Sequence, residues 1–316
     1  MCVLFFYLRQ SLQRNMETEN TSKWDGQSKG QVLGFKIFVF ILNTFGLNPA
    51  YFMLRFVSFY YFLFSKPNAY IRDYFVKVHG YSPLKSRLAV YTNNFMLGQT
   101  IIDKVAVMAG AKNAFKVIHK NGAMLDELTA IGKGGILVSA HIGNWEVAGQ
   151  GLNRLGTAFN VLMYANEKEN IKEYMDGVMK EKKINIIAIN EETKSHIIEL
   201  HKAFSNNELV VMHGDRYREG TKTFTANFFG RPAKFPAGPF IMAAKFGVPL
   251  CIVFAVKIDK HTYQFSTEKP IQVDRVRGDA QVEKVCQELL QKYIVEVEKT
   301  VKAYPHQWFN YYDFWK

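Results

Sequence analysis

Residues 134–149 read GGILVSAHIGNWEVAG, and the way this stretch divides decides the fold. Gly134-Gly135 precede the apolar run Ile136–Ala140, which is short, glycine-bounded and reads as a buried strand. Gly143 permits a tight turn, Asn144 can cap a following helix, and Glu146 then falls in that helix's first turn. His141 sits just past the C-terminal end of the strand, where open α/β sheets bind ligands.

The same alternation continues downstream. Phe159–Tyr164, Ile184–Ile189, Leu209–His213 and Leu250–Val256 are further apolar runs, with helical patterns near 145–155, 168–182, 193–206 and 236–246. Buried strands alternating with helices predict an α/β single domain with a largely parallel central sheet flanked by helices. Thr262–Thr267 is expected to pair as an edge strand. Residues 279–303 form an amphipathic helix with Val282, Val285, Leu289, Tyr293, Val297 and Val301 on one face. Upstream, residues 67–132 read as helical, with a 3.6-residue period from Leu84 and a stop at Gly110.

Residues 1–31 read as an extension, apolar to Leu8 and polar from Arg9, with Met16 as an alternative start. The apolar run is too short to span a bilayer, and no small-residue cleavage site follows it. Residues 32–66 are the most hydrophobic part, interrupted by Asn48-Pro49 and carrying Lys36 and Arg55. Neither half reaches the roughly 20 apolar residues of a clean span. Two membrane-binding helices broken at Pro49, dipping into or lying along one leaflet, are expected, with a single tilted span and two buried core helices as alternatives. The expected organisation is thus 1–31, 32–66 and a catalytic domain over 67–316.

Composition narrows the function. Apolar residues make up 48% and charged residues 22%, which excludes a disordered chain and a polytopic membrane protein. A net charge of +12 favours an anionic partner such as an anionic membrane surface or an acidic protein, with a solvated basic surface as the alternative. No arginine-rich tract or basic region with heptads points to nucleic acid. The 26 Phe and 16 Tyr suit a large core and, before residue 65, a bilayer interface. Cys2, Cys251 and Cys286 show neither metal-ligand spacing nor a disulfide framework.

Three constellations carry chemistry. In the first, Glu146 can approach the imidazole of His141, fix its tautomer and make it a general base for a hydroxyl or amine. In the second, His213-Gly214-Asp215-Arg216 follows another apolar strand, and Asp215 and Arg216 can form a charge-assisted pair. Arg216, Arg218, Lys222, Arg231 and Lys234 form a basic cluster able to hold phosphate, steer an acidic protein, or simply face solvent. In the third, residues 228–239, Gly and Pro fix a loop whose Phe residues either wall an acyl groove or sit in the core of a hairpin-like turn.

The runs SAHIGNWEVAG (139–149), GDRYREGTKTFTANFFGRPAKFPAGP (214–239) and YPHQWFNYYDFW (304–315) resemble, in order and spacing, three blocks of the bacterial lipid A biosynthesis acyltransferase family. The resemblance covers roughly residues 30 to 312. It implies that His141 and Glu146 are the catalytic pair, that Asp215 and Arg216 match the second block's Asp and Arg, and that Arg231 and Gly238 flank the acyl-chain and acceptor site. It also implies an acyl-carrier-protein thioester as donor and catalysis at the cytoplasmic face of the inner membrane. Where that family carries Arg directly after a Tyr, this chain has Tyr164 followed by Ala165-Asn166-Glu167. The expected acceptor is a membrane lipid such as a lipid A precursor, with a less anionic lipid as the alternative that this departure opens.

The expected reaction is acyl transfer from acyl-carrier protein, or acyl-coenzyme A, to a membrane lipid. His141 is the base, Arg216 or backbone N–H groups near 143–146, with Asn144 beside them, hold the oxyanion, and no cofactor or metal is called for. Two rivals remain: a metal-dependent phosphoesterase using His141, Glu146, His213 and Asp215, and a non-catalytic membrane adaptor.

Overall fold

A computed structural model describes residues 29–108, 114–149, 155–164, 184–189 and 195–315. The expected helix at 168–182, Gly110, Cys2 and residues 165–167 lie outside these. The chain divides into two compact units, residues 1–114 with 309–313, and residues 115–308 with 314–316.

The first unit is helical: α1 (Lys29–Phe45), α2 (Leu47–Phe64), α3 (Asn68–His79) and α4 (Pro83–Met108). The break in the hydrophobic region falls at Gly46, not at Pro49. Gly46 takes φ 84°, a conformation cheap only for glycine. Pro49 sits in the first turn of α2, where its missing N–H has no intrahelical acceptor to lose. One face of α2, with Ala50, Tyr51 and Leu54, buries against Ile102 and Phe95 of α4. The Tyr51 hydroxyl donates to the buried Asp103 carboxylate. The other face stays exposed: Phe52, Phe56, Phe59 and Phe64 are each more than half accessible, as is Phe40 of α1. Among the described residues no helix is long and apolar enough to cross a membrane. Within this unit α4 packs against α2 and against α3.

The second unit is the α/β layer. Its strands are β1 (Lys116–Lys120), β2 (Gly135–Ser139), β3 (Phe159–Tyr164), β4 (Ile184–Ile189), β5 (Leu209–His213), β8 (Leu250–Lys257) and β9 (Thr262–Thr267), in the order β1-β9-β8-β2-β5-β3-β4. All neighbours are parallel except β8 and β9. The mostly parallel sheet is as expected, and β2 and β8 are buried along their whole length. Its helices are α5 (Ala123–Ala130), α6 (Trp145–Ala148), α7 (Ser195–Ser205), α8 (Gly238–Phe246) and α9 (Asp279–Ala303).

Two expectations are corrected. Residues 116–120 are a strand rather than helix, and β1, not β9, closes that edge of the sheet. The sequence KVIHK alternates exposed and half-buried positions, a two-residue period hidden by its lysines. Residues 223–236 are the hairpin of β6 (Thr223–Phe228) and β7 (Arg231–Pro236), with Phe228 and Phe235 fully buried. Its turn, Phe229-Gly230, has φ of 53° and 76°, the paired positive values that match strand twist in two-residue hairpins. The hairpin alternative for that stretch therefore holds.

The sheet core gathers Leu125, Leu128, Leu137, Phe159, Leu209 and Phe265. Leu128, with no exposure, lies against Gly135. We expect Leu128→Ala to cost about 2–5 kcal/mol and Ile198→Ala, 75% exposed, less than about 0.5 kcal/mol. Denaturant midpoints measured side by side check both.

Candidate active site

Strand register builds the site. β2 and β5 are parallel neighbours, and Ser139 stands opposite His213 at their C-terminal ends. His141 and Asp215 each lie two residues further on, so adjacent strands deliver them to the same edge. The Gly214 N–H donates to the Ser139 carbonyl at 2.8 Å, and the Tyr293 hydroxyl of α9 donates to the same oxygen at 2.9 Å. These bonds tie the two strand ends together.

The carboxylate on the His141 ring is that of Asp215. His141 Nδ1 lies 2.7 Å from Asp215 Oδ1, and the His141 backbone N–H donates to Oδ2 at 2.9 Å. An ionised carboxylate only accepts, so Nδ1 carries the proton and Nε2 is left as the basic nitrogen. Asp215 is 2% exposed. Burial alone would raise its carboxyl, but the neighbouring imidazole, their hydrogen bond and Arg216 hold it well below the usual carboxylate range. Burial, then Arg216, lower the His141 imidazole below its ordinary value, against the opposing pull of Asp215 and Glu146. The His213 ring stacks on that of His141, with centroids 4.2 Å apart. Burial, then His141, push His213 down to about 3. The site at neutral pH is a carboxylate beneath a neutral, oriented imidazole.

The aromatic tail completes it. Trp308 Nε1 donates to Asp215 Oδ2 at 3.3 Å, and Trp308 itself is 1% exposed. Gln307 bonds Lys257 of β8 through both ends of its amide, and its carbonyl accepts the Gly143 N–H at 3.0 Å. Gly143 takes φ 65°, and a Cβ there would meet the Ala255 carbonyl oxygen at 1.9 Å, so the turn after His141 admits only glycine. The Asn144 N–H donates to that same carbonyl at 2.7 Å, and its side chain caps α6 by accepting from the Val147 N–H at 3.3 Å. The capping role expected of Asn144 is present. The Gly143 and Asn144 N–H groups are committed to these bonds, which leaves Arg216 and the N–H groups of residues 145–146 as candidate oxyanion donors.

Of the other expected residues, Glu146 and Arg216 lie within electrostatic reach of the pair. Glu146 lies in the first turn of α6 and acts on both imidazoles through its charge. Arg216 acts through its charge on both members of the His141–Asp215 pair. Arg231 opens β7 with its guanidinium 4.7 Å over the Trp315 ring, and Lys222 lies 5.7 Å over Phe224. The basic cluster is thus divided among different tasks. Gly238 opens α8, where a Cβ would have its nearest contact at 3.6 Å, with Met242. Cys251 and Cys286 are buried, their thiols pushed up to about 12 and about 11 by burial.

His141, His213 and Asp215 also offer ligand atoms within 4.8 Å of one another, three of the four residues considered for a metal. Asp215 already accepts three hydrogen bonds, however, and ligation through Oδ1 would displace the imidazole N–H. The orienting roles of Asp215, Gln307 and Trp308 emerge only from the structure. The recurrence of a polar residue two places beyond each buried strand is the signal in the sequence that could have pointed to Asp215.

Buried neutral imidazoles bind protons more readily once unfolded, so they make stability fall with acidity. His213 goes from an ordinary value of 6.5 to about 3 on folding. Stability should therefore drop as pH falls below about 6.5, with Asp215 adding to the loss only below about 4. Denaturant midpoints between pH 7 and 4.5 should show this slope, and His213→Gln should flatten it.

The family described as "Bacterial lipid A biosynthesis acyltransferase" matches residues 92–316. Two curated relatives, each named "Phosphatidylinositol mannoside acyltransferase", from Mycobacterium tuberculosis strains H37Rv and CDC 1551, are 25% identical over 127 residues. That alignment covers 40% of this chain and 40% of each relative, so the chain matches about two fifths of their length. Among solved structures, the 1-acyl-sn-glycerophosphate (LPA) acyltransferase, PlsC, from Thermotoga maritima aligns at 13% identity over 78% of this chain and 98% of that one. Its TM-score of 0.35 is too low for the likeness to carry an argument. With the family's match spanning well over half of the sequence, this chain belongs to the bacterial lipid A biosynthesis acyltransferase family.

Proposed function

We propose that this chain is an acyltransferase that moves a fatty acyl group from an acyl thioester to a hydroxyl or amine of a membrane lipid, with His141 as general base. The observation that carries this reading is the 2.7 Å contact between His141 Nδ1 and the buried Asp215 carboxylate. It fixes one tautomer and leaves Nε2 basic. Nε2 takes the proton from the acceptor as its oxygen or nitrogen attacks the thioester carbonyl. Arg216 or the N–H groups of residues 145–146 stabilise the oxyanion. Collapse breaks the carbon–sulfur bond, and His141 returns the proton to the leaving thiolate. Glu146, His141's partner in the family pattern, steadies the imidazolium through space, and Arg231 and Gly238 flank the acyl chain.

The donor fits an acidic acyl-carrier protein, given the net charge of +12, with acyl-coenzyme A as the alternative. Ala165-Asn166-Glu167, in place of an Arg, favours an acceptor less anionic than a phosphorylated lipid A precursor. The relatives' names point to a glycolipid as one such class. The exposed aromatic face of α2 supports a chain lying along the cytoplasmic leaflet of the inner membrane. On this reading residues 67–316 form the transferase and 32–66 its membrane-associating part. The three-atom cluster around His213 favours one other reading, a metal-dependent phosphoesterase.

Labelled acyl-carrier protein and total membrane lipid test the proposal, with and without a chelator. Wild type should label a lipid whether or not the chelator is present, and His141→Ala should lose about 10²–10⁴-fold. Equal labelling by His141→Ala removes it as the base, and loss to the chelator favours the phosphoesterase chemistry. Asp215 raises the His141 pKa. Asp215→Asn should therefore cut the rate and move the acid limb of the rate profile to lower pH.

A further inference from the structure

Within the helical unit a cavity of about 300 Å³ lies where the end of α2 turns into α3. Its lining includes Phe62 and Leu63 from α2, Ser65 and Lys66 from the turn, Arg72 from α3 and Arg87 from α4. Among the described residues three cations line it and no carboxylate does. The nearest acid along α3, Asp73, is held by Lys77 at 2.7 Å. The cavity is braced rather than loose. The Asn68 amide nitrogen donates to the Tyr61 and Phe62 carbonyls at 2.9 Å, and its oxygen accepts from Asn94 at 3.1 Å.

Lys66, Arg72 and Arg87 give the lining a positive potential, which favours an anion there. Guanidinium groups match the paired oxygens of a phosphate, and lysine adds a point charge. The apolar wall identifies the anion's carrier. Leu63 and Phe64 are 55% and 68% exposed, and they continue the aromatic face of α2 up to the cavity. A soluble phosphate compound has no use for that wall, whereas a lipid has a chain to lay on it.

We propose that this cavity holds the phosphodiester of an anionic glycerophospholipid headgroup, gripped by Lys66, Arg72 and Arg87, with its acyl chains running along Phe62 and Leu63. The site is a docking site for bulk lipid and is separate from acyl transfer. It rests on the membrane-surface reading for its biological setting but not for its binding chemistry.

The test titrates monomeric dihexanoyl phosphatidylglycerol, and dihexanoyl phosphatidylcholine in parallel, into the full chain by calorimetry. The phosphatidylglycerol should bind more tightly, and Arg72→Gln with Arg87→Gln should weaken it about fivefold for each cation removed. A control with the same change of charge, Lys269→Gln with Lys292→Gln, should stay within about twofold. Unchanged binding by the arginine variant overturns the site. Equal loss by the control does so too, since net charge would then suffice. Inorganic phosphate binding as tightly as the lipid overturns the lipid as ligand. Sedimentation with phosphatidylglycerol vesicles separates the two readings. Monomer binding without vesicle binding keeps the cavity and removes the membrane surface. Vesicle binding that is blind to Arg72 and Arg87, with no monomer binding, removes the cavity and leaves the apolar face.

Discussion

Asp215 is a carboxylate taken out of water at the seam where two parallel strands end, and the second unit is organised around keeping it charged. A lone buried carboxylate is costly enough that it would take up a proton instead. Here the His141 backbone N–H, the His141 ring and the Trp308 indole each donate to it, and Arg216 adds charge from the side. These groups come from different parts of the chain. The loop after β2, the loop after β5 and the tail must all be in place for the ion to be tolerated. Removing one donor therefore disturbs the imidazole as well as the stability of the fold.

The tail explains how the loops stay where the carboxylate needs them. Gln307 uses its side-chain amide to extend the edge of β8 and its carbonyl to hold Gly143. Trp308 then packs among Phe228, Phe314 and Trp315, so the β6–β7 hairpin is joined to the carboxylate through aromatic edges. Arg231 caps that cluster on the Trp315 ring. Residues that a sequence motif groups as substrate contacts thus also serve as the scaffold of the His–Asp pair. Tyr293 performs a similar service from α9 by bonding the last carbonyl of β2.

The helical unit meets a different constraint. Helix α2 is apolar on both sides, yet among the described residues only one side finds protein. Tyr51 and Leu54 bury against α4, while Phe52, Phe56 and Phe59 face outward. An aromatic face of this kind is stable where it meets another apolar phase. The cationic cavity at its end adds a polar boundary to it, and the two together have the layering of a lipid–water interface.

Much of this was legible along the chain. Apolar runs marked β2, β3, β4, β5 and β8, and strands buried on both faces, such as β2 and β8, need such continuous apolar residues. Asn144 was legible as a cap, and Gly143 as a turn, because each acts on backbone within a few residues of itself. β1 escaped because an edge strand tolerates lysines, and the break at Gly46 escaped because Pro49 is the louder signal. The contact of Asp215 with the His141 ring cannot be read from neighbouring residues. Glu146 is five residues away in sequence, and Asp215 is 74. Only the register of β2 on β5 brings that distant carboxylate onto the imidazole. Local conformation is written in neighbouring residues, whereas the pairing of a base with its carboxylate depends on which strands lie side by side, a choice that the whole sheet makes together.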